Sequence, residues 1–280
     1  MLKRVIGSAT TLKIYPDNCL NDEKVLVFVA WNKLKEEKPF KNIIFDAYPD
    51  FELASFDFSG MATSADQVIS NIVVKKKKIS IDYKILSRKT EGKSQVIACI
   101  IESLKTDPRR YSYIGIFDDD ILIRVSAINK AIKIGMSKKL STFQPSLSSN
   151  SYYAHKFTLN RNKVLQKCTW TEIMVPFIKA ELLLKCEPFL SGIVSSWGVD
   201  CFVIPIVALV ERIGSGHAVI HASLATHLKP IRAGAKAFKN GRTSKQEMEM
   251  MRDRCAKYVQ DTSAGMINNH KIKKLLLQFL

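Results

Sequence analysis

The hydrophobic residues of the chain recur in patterns that predict strands alternating with helices. Nearly continuous apolar runs at 24–32 and 111–117 predict strands buried on both faces, because such strands have no polar side. Apolar residues spaced three and four apart at 94–105 and 124–136 predict amphipathic helices. The order of these elements indicates an α/β protein.

The second half of the chain has a more mixed pattern. Residues 141–153 are mostly polar and end in two tyrosines, which is typical of a surface loop. Residues 175–187 and 200–212 predict helices, the first with Pro176 near its start, and residues 217–227 predict a late strand. We therefore expect a regular first half and a less regular second half.

Three consecutive carboxylates follow directly on the strand predicted at 111–117. Asp118, Asp119 and Asp120 repel one another, so their clustering favours a compensating cation. Mg²⁺ and Mn²⁺ prefer oxygen ligands, and open α/β sheets bind ligands beyond the carboxyl ends of their strands. Alternation along the chain predicts that Asp118 and Asp120 share one face while Asp119 points away. The alternative is an acidic turn or a helix N-cap before Ile121.

Composition places the chain among globular proteins and favours an anionic partner. Of the 280 residues, 46% are hydrophobic and 9% aromatic, which does not suit a disordered chain. Lys and Arg outnumber Asp and Glu by 43 to 26, so nucleic acid, an acidic membrane surface or a phosphorylated substrate would be attracted. No run of ~20 apolar residues and no signal peptide is recognisable, which predicts a cytoplasmic protein. The six scattered cysteines indicate reduced thiols.

Two further motifs place charged residues at the predicted starts of helices. Gly92 and Lys93 precede the helix predicted at 94–105, where backbone N–H groups and a cation suit a phosphate. Asp200, in "WGVD", directly precedes an apolar helix. Asp200 could act on a ligand or simply cap that helix.

Two more candidate residues lie at a strand end and among aromatic residues. His227 ends the strand predicted at 217–227, beside Lys229, although a lone histidine is more commonly a satisfied core or surface residue. Glu172, in "CTWTEIMVPF", either pairs with a lysine or hydrogen-bonds the hydroxyl groups of a ligand. Both residue types can take part in acid and base chemistry.

Five motifs in order carry a resemblance to a known family. The motifs are "FDDDI", "FQPSLS", "WTEIMVPF", "SSWGVD" and "AVIHASLATHLKP". Together they resemble GT-A-type nucleotide-sugar glycosyltransferases. They more closely resemble a glycosyltransferase-like family that was formerly described as a domain of unknown function and is related to bacterial surface-polysaccharide transferases. The resemblance spans about residues 24–231. It implies a GT-A-like, mixed and mainly parallel sheet flanked by helices over residues 1–231, followed by a basic helical tail over 232–280.

The resemblance also implies roles for individual residues. Asp118 and Asp120 match the metal-binding positions of the family's aspartate motif, and His227 matches the late histidine that completes the metal shell. Asp200 matches the catalytic base of inverting members, and Lys93 matches a position near the sugar nucleotide. By their chemistry rather than by the resemblance, Glu172 is a second catalytic candidate, and Asp118 and Lys229 are expected to contact the nucleotide sugar with Lys93. One departure is His221, which stands where many relatives have an aspartate.

The implied function is that of a metal-dependent glycosyltransferase. It would use Mn²⁺ or Mg²⁺ and move a sugar from a nucleotide-diphosphate donor to a saccharide or lipid-linked acceptor in cell-surface polysaccharide synthesis. A catalytically idle GT-A-like binding protein is the first alternative. A basic nucleic-acid-binding protein is less favoured, because no RNA- or DNA-binding module is recognisable. A metal-dependent phosphatase or nuclease would leave the WGVD motif and His227 unexplained.

The last residues suggest how such an enzyme would be located. A helix over 268–280 would present Ile272, Leu275, Leu276 and Phe279 as one apolar stripe beside three lysines. This pattern fits peripheral attachment to the inner face of the cytoplasmic membrane, since anionic lipid attracts basic residues. The alternative is a terminal helix docked on the core.

Overall fold

A computed structural model describes six segments of the chain, which contain all the elements discussed below. These segments are residues 24–63, 70–74, 77–81, 83–107, 110–231 and 237–262. The apolar stripe predicted within 268–280 lies outside them, and so does Cys19.

Twelve strands and five α-helices are described. The strands are β1 (Lys24–Trp31), β2 (Ile43–Ile44), β3 (Glu52–Asp57), β4 (Ser70–Val74), β5 (Lys77–Ile81), β6 (Tyr83–Ser87), β7 (Tyr111–Phe117), β8 (Ile121–Arg124), β9 (Thr142–Leu147), β10 (Gln166–Cys168), β11 (Phe177–Lys179) and β12 (His217–His227). The helices are α1 (Lys93–Thr106), α2 (Val125–Ser137), α3 (Ala180–Lys185), α4 (Ile204–Val210) and α5 (Ser244–Thr262), with a π-helical turn at Val199–Val203 before α4.

Ten of the strands form one mixed sheet. Its order is β2-β8-β12-β9-β11-β7-β1-β3-β6, and β10 pairs with the first half of β12. The strands β6, β3, β1 and β7 are parallel to one another, whereas β11 runs antiparallel to both β7 and β9. β9 and β12 are parallel again. The carboxyl ends of β7, β9 and β12 therefore lie at the same edge of the sheet, and β4 and β5 form a separate hairpin.

The sheet has a hydrophobic core on each face. Alternate residues of β1 belong to different cores: Leu26 and Phe28 pack in the same cluster as α1, while Val25, Val27 and Val29 pack in the same cluster as α2. This division follows from the two-residue period of a strand, and it explains why β1 is apolar throughout. The prediction of buried strands at 24–32 and 111–117 is confirmed.

Helix α5 packs into the first of these cores. Met251, Cys255 and Val259, each four residues apart, are buried in the same cluster as α4. The boundary at residue 231 and the tail 232–280 stay predictions of the sequence. The part of the tail that the structure describes contributes to the core that also contains α1. No helix among the described residues combines the length and the apolar character needed to cross a membrane.

Two sequence predictions about the second half are wrong. Residues 141–153 do not form a loop throughout, because β9 occupies Thr142–Leu147 and is buried at every position. Its polar side chains are satisfied by tertiary partners: Thr142 bonds His217, and the Ser146 hydroxyl donates to the carbonyl of Ser223. Residues 175–187 do not form one helix either, because β11 pairs with β7 and β9 before the short α3 begins.

A buried aspartate organises the loops that follow β1, β3 and β6. Asp57, at the end of β3, is fully buried. Its carboxylate accepts hydrogen bonds from the backbone N–H groups of Lys33, Ser59, Met61 and Ala62 and from the hydroxyls of Ser59 and Ser87. Burial opposes ionisation, but these donors outweigh it and lower the pKa of Asp57 to about 2.

Replacing Asp57 by Asn is expected to lower the free energy of unfolding by about 2 kcal/mol at pH 7, because the carboxylate pKa falls from 3.8 to about 2 on folding. Since the folded-state pKa is depressed, this stabilisation is present above pH 3.8 and is lost as the pH falls toward 2. Urea unfolding of both proteins at pH 7 and through the acid range measures the difference.

Glu102→Gln serves as the matched control, since the Arg88–Glu102 ion pair is exposed and contributes at most about 1 kcal/mol. Equal losses in the two variants, or a loss in Asp57→Asn that does not vary with pH, would show that the buried carboxylate is not the source of the stabilisation.

Candidate functional site

A cavity of about 180 Å³ opens at the carboxyl ends of β1, β3 and β7, beside the start of α1. Phe28, Phe56 and Phe58 form its apolar wall, while Lys93 and Asp118 provide charged groups. This is the edge of the sheet at which ligands of open α/β folds bind. Two members of the predicted aspartate cluster, Asp118 and Asp119, therefore line a cavity at this edge.

Lys93 joins the start of α1 to the end of β7. Its Nζ lies 2.5 Å from Oδ1 of Asp118 and donates a second hydrogen bond to the carbonyl of Ile173. The two side chains are 14% and 28% exposed, so the pair is well shielded yet reachable from the cavity. Burial raises the pKa of Asp118, and Lys93 opposes that rise. Lys93, predicted near a phosphate, thus lies in the site with Asp118.

Asp120 faces the end of β12 instead. Nε2 of His227 lies 3.3 Å from Oδ1 of Asp120, and the side chains are only 7% and 13% exposed. Burial opposes the charge of Asp120, but His227 and Lys229 outweigh it and lower the pKa of Asp120. Burial likewise opposes the charge of His227, and Asp120 outweighs it and raises the pKa of His227.

The side chain of His227 is oriented by a backbone carbonyl. Nδ1 lies 2.9 Å from the carbonyl oxygen of Tyr152, so Nδ1 carries a proton and Nε2 faces Asp120. Oδ1 of Asp120 is buried and lacks a hydrogen bond among the described residues. A neutral His227 would present an Nε2 lone pair beside this oxygen, which is the donor set of a divalent cation.

The three predicted metal ligands are not all drawn together. The structure pairs Asp120 with His227 and pairs Asp118 with Lys93. Across the described segments, no group of three or more His, Cys, Asp or Glu side chains is arranged to hold a metal ion. Mg²⁺ commonly uses one or two protein carboxylates and completes its shell with water and substrate phosphates. Asp120 supplies one such carboxylate, and the imidazole of His227 beside it adds a nitrogen donor of the kind that transition metals accept.

Asp119 and Asp120 both lie near the ammonium group of Lys229. Nζ of Lys229 lies 3.0 Å from Oδ2 of Asp119 and 3.6 Å from Oδ2 of Asp120. Asp119 also lines the cavity together with Asp118, so it does not point away from the site as the alternation of the chain predicts. The reason is that the strand ends at Phe117, and the three aspartates lie in the turn before β8, where strand alternation no longer applies.

Asp200 lies in the π-helical turn before α4. Its Oδ1 accepts a hydrogen bond from the N–H of Cys201 at 2.9 Å, and its Oδ2 accepts a weaker one from the N–H of Ile173 at 3.3 Å. Burial raises the pKa of Asp200 to about 6. The carboxylate therefore anchors both its own turn and the segment that carries Ile173. Asp200 lies inside the first helical turn and does not cap the helix, because the cap position is Gly198.

Glu172 is the most deeply buried acid of the site. It is 5% exposed, its Oε2 has no hydrogen-bond partner among the described residues, and its N–H donates to the side chain of Gln144. Burial and the charge of Asp200 raise the pKa of Glu172 to about 8. Lys93 and His227 act in the opposite direction, without forming an ion pair with it. At pH 7 the side chain is a protonated donor.

Two kinds of residue in the site were not predicted from the sequence. They are the aromatic residues that line the cavity and the side chain that hydrogen-bonds the backbone of Glu172. Phe58 lies directly after β3, and Gln144 lies in the strand mistaken for a loop. The pattern "FDFSG" could have predicted that Phe58 lines a ligand site, because an aromatic residue following a buried strand lies at the edge where ligands bind. His221 is placed away from this site, where its Nδ1 accepts a hydrogen bond from the N–H of Arg161.

The protonation of Glu172 alone is expected to make the free energy of unfolding fall by up to about 1.4 kcal/mol per pH unit between pH 5 and 8. The pKa of Glu172 rises from 4.5 to about 8 on folding, so the unfolded chain binds fewer protons than the folded one in this range. Glu172→Gln is neutral at every pH and should flatten this slope and stabilise the protein at pH 8. Urea unfolding across the range tests both statements.

Asp200 adds to the slope only below about pH 6, where its own raised pKa lies. Glu181→Gln, at an exposed position of α3, is the control and should leave the slope unchanged. A slope that survives Glu172→Gln would mean that Glu172 is ionised in the folded protein at pH 7.

Solved structures of TarS from S. aureus share this fold. TarS 1–349 has a TM-score of 0.56 at 10% sequence identity, covering 91% of this chain and 70% of that chain. Its complex with UDP-GlcNAc has a TM-score of 0.55 at 10% identity over 91% and 71%, and its complex with UDP has 0.52 at 10% identity over 91% and 70%. No protein-family model and no curated protein matches the chain. The likeness confirms the predicted GT-A-like mixed sheet flanked by helices.

Proposed function

We propose that this chain is a glycosyltransferase that takes a sugar from a nucleotide-diphosphate donor. The observation that carries the proposal is a cluster of acids at the carboxyl edge of the sheet: Asp118 lines the aromatic-walled cavity, and the charges of Asp200 and Asp118 act on the buried Glu172. Acids held at different pKa values are suited to proton transfer. Support also comes from the shared fold, since TarS has been solved with UDP-GlcNAc and with UDP.

The cavity suits the nucleotide part of such a donor. Phe58 is partly exposed and offers a ring on which a base can stack, whereas Phe28 and Phe56 are buried core residues behind the apolar wall. Lys93, at the first position of α1, would meet the phosphates near the helix N-terminus. Lys229 adds a half-exposed cation on the other side of the aspartates. UDP is the first nucleotide to test, because TarS has been solved with it.

A divalent cation, Mn²⁺ or Mg²⁺, would be held by Asp120 and His227, with Asp118 nearby. Bound there, it would neutralise the charge of the departing diphosphate. The chain's own contribution is to keep Nε2 of His227 directed at Asp120, through the carbonyl of Tyr152. Lys93 keeps Asp118 in place until the donor arrives.

Asp200 and Glu172 would divide the acceptor chemistry. In the transfer, the bond between the sugar and the diphosphate breaks and a bond to an acceptor hydroxyl oxygen forms. Asp200, ionised at pH 7, would take the hydroxyl proton as the base. Glu172, protonated at pH 7, would donate a hydrogen bond to a substrate hydroxyl. This division of roles is that of an inverting reaction, since Asp200 matches the catalytic base of the inverting members of the family.

We further propose a saccharide or lipid-linked acceptor, as in cell-surface polysaccharide synthesis. Trp197 and Tyr152 are 41% and 48% exposed. Trp197 lies three residues before Asp200 in the chain, and the carbonyl of Tyr152 bonds His227. Exposed aromatic rings at these places could contact a sugar ring. The excess of lysine and arginine is suited to a peripheral location on anionic lipid at the inner face of the cytoplasmic membrane.

A panel of UDP-, GDP-, CMP- and dTDP-sugars, assayed with Mn²⁺ and with EDTA, tests the reaction. We expect one donor to be consumed only with metal. Asp200→Asn should lower turnover by about 100-fold or more, because positioned bases contribute at least that much. Asp120→Asn should raise the metal concentration needed for half-maximal activity. Mass spectrometry of the products identifies hydrolysis or transfer.

Asp253→Asn, at a position 74% exposed on α5, is the control for removing a carboxylate and should keep full activity. Consumption without metal would contradict the metal's role. Metal-dependent nucleotide binding without any turnover would instead support the idle binding protein, and no nucleotide binding at all would overturn the proposal.

Phe58→Ala is expected to raise the Kd for UDP by about 5- to 150-fold, because base stacking on an aromatic ring is worth roughly 1–3 kcal/mol. Phe58→Tyr keeps the ring and should bind normally. Phe45→Ala removes a comparably half-buried ring that packs against the core on the other face of the sheet, and should not change the Kd. Calorimetric titration with UDP provides the measurement, and equal Kd values for Phe58→Ala and wild type would remove UDP from this cavity.

A further inference from the structure

A fully buried carboxylate of α5 binds the segment that leads to Asp200. Glu247 is 0% exposed, and its Oε2 accepts hydrogen bonds from the N–H groups of Val194 at 3.0 Å and Ser195 at 2.7 Å. Its Oε1 accepts another from Nδ2 of Asn240 at 2.6 Å. Backbone N–H groups that would otherwise be buried without partners are thereby satisfied. The residues 193–198 are here called the bridging segment.

The opposite side of the bridging segment contacts the first turn of α1. The N–H of Ser94 donates to the carbonyl of Val194 at 3.2 Å, and the hydroxyl of Ser94 donates to the carbonyl of Ser195. A Cβ atom on Gly92 would lie 2.2 Å from the carbonyl oxygen of Val194, so only glycine allows this approach. Lys93 lies between these two residues, so its backbone is fixed by the bridging segment.

The end of the bridging segment also rests on α5. Gly198 has a φ of +92°, and a Cβ atom there would lie 3.2 Å from Cβ of Met251. The carbonyl of Gly198 accepts the hydrogen bonds of Phe202 and Val203 that begin the π-helical turn containing Asp200. The position of Asp200 therefore depends on a backbone that α5 holds.

We propose that Glu247 is a positioning residue. Through the bridging segment, it fixes the positions of Lys93 and Asp200 relative to each other. The helix α5 is then a part of the candidate active site, although none of its residues lines the cavity. This inference rests on the proposed function for its effect on donor binding. The coupling of α5 to Lys93 and Asp200 through the bridging segment does not depend on whether the protein is a transferase. The two can therefore be tested separately.

The coupling is tested by hydrogen–deuterium exchange on the full chain. Glu247→Gln keeps the size of the side chain and one accepting oxygen, whereas Glu247→Ala removes both acceptors. We expect about tenfold faster exchange in the first turn of α1, residues 93–97, and in residues 198–203, with Ala exceeding Gln. A change confined to the amides of Val194 and Ser195 would overturn the proposal.

Two variants on the same helix act as controls. Glu249→Gln removes an exposed carboxylate two residues away. Val259→Ala weakens the packing of α5 two turns beyond Met251 and should lower the Tm without loosening residues 93–97. If Val259→Ala, at an equal loss of Tm, exchanges as fast as Glu247→Gln in that turn, the effect is general destabilisation and the proposal fails.

Titration with UDP then links the coupling to function. We expect Glu247→Gln to raise the Kd for UDP about tenfold, while Val259→Ala leaves it unchanged. An unchanged Kd in Glu247→Gln would overturn the positioning role. If the wild type does not bind UDP, the UDP-specific form of the proposed function fails, and the exchange experiment alone decides the coupling.

Discussion

The ammonium group of Lys93 is the contact on which the candidate site depends. It joins the first residue of α1 to Asp118 at the end of β7 and to the carbonyl of Ile173 on the approach to β11. Breaking a buried pair leaves an uncompensated charge, which is far more costly than losing an exposed one. One cation therefore links the start of α1, the end of β7 and the segment that carries Glu172, in addition to the backbone pairing of β7 with β11.

The buried acids of the site do not share one protonation state, and their surroundings explain the difference. Asp200 accepts two backbone hydrogen bonds, which limit the rise of its pKa to about 6. Glu172 has an unsatisfied oxygen and the charge of Asp200 nearby, and its pKa reaches about 8. Neighbouring acids cannot all ionise in a poorly solvated site. The fold thus gives two similar side chains different protonation states at pH 7.

Local patterns predicted β7, α1 and the position of Asp200, because periodicity and strand ends are properties of neighbouring residues. The same patterns failed at β9, where Thr142 and Gln144 are polar but bonded to residues far along the chain. The pairing of Lys93 with Asp118 could not be predicted either, since it requires that α1 and β7 meet at one edge. Residue types in the candidate site are thus readable from sequence, whereas their partners are set by tertiary contacts.

The basic composition after residue 231 does not by itself mark a separate unit, because one helix can have a charged face and a core face. In α5, Met251, Cys255 and Val259 recur every four residues and are buried, while Lys245 and Lys257 are exposed. Counting charges records the exposed face and overlooks the buried one. Glu247 lies on the buried face, where its charge is compensated by backbone N–H groups and by Arg242 at 3.6 Å. A charged residue within a basic segment can thus be a structural element of the core.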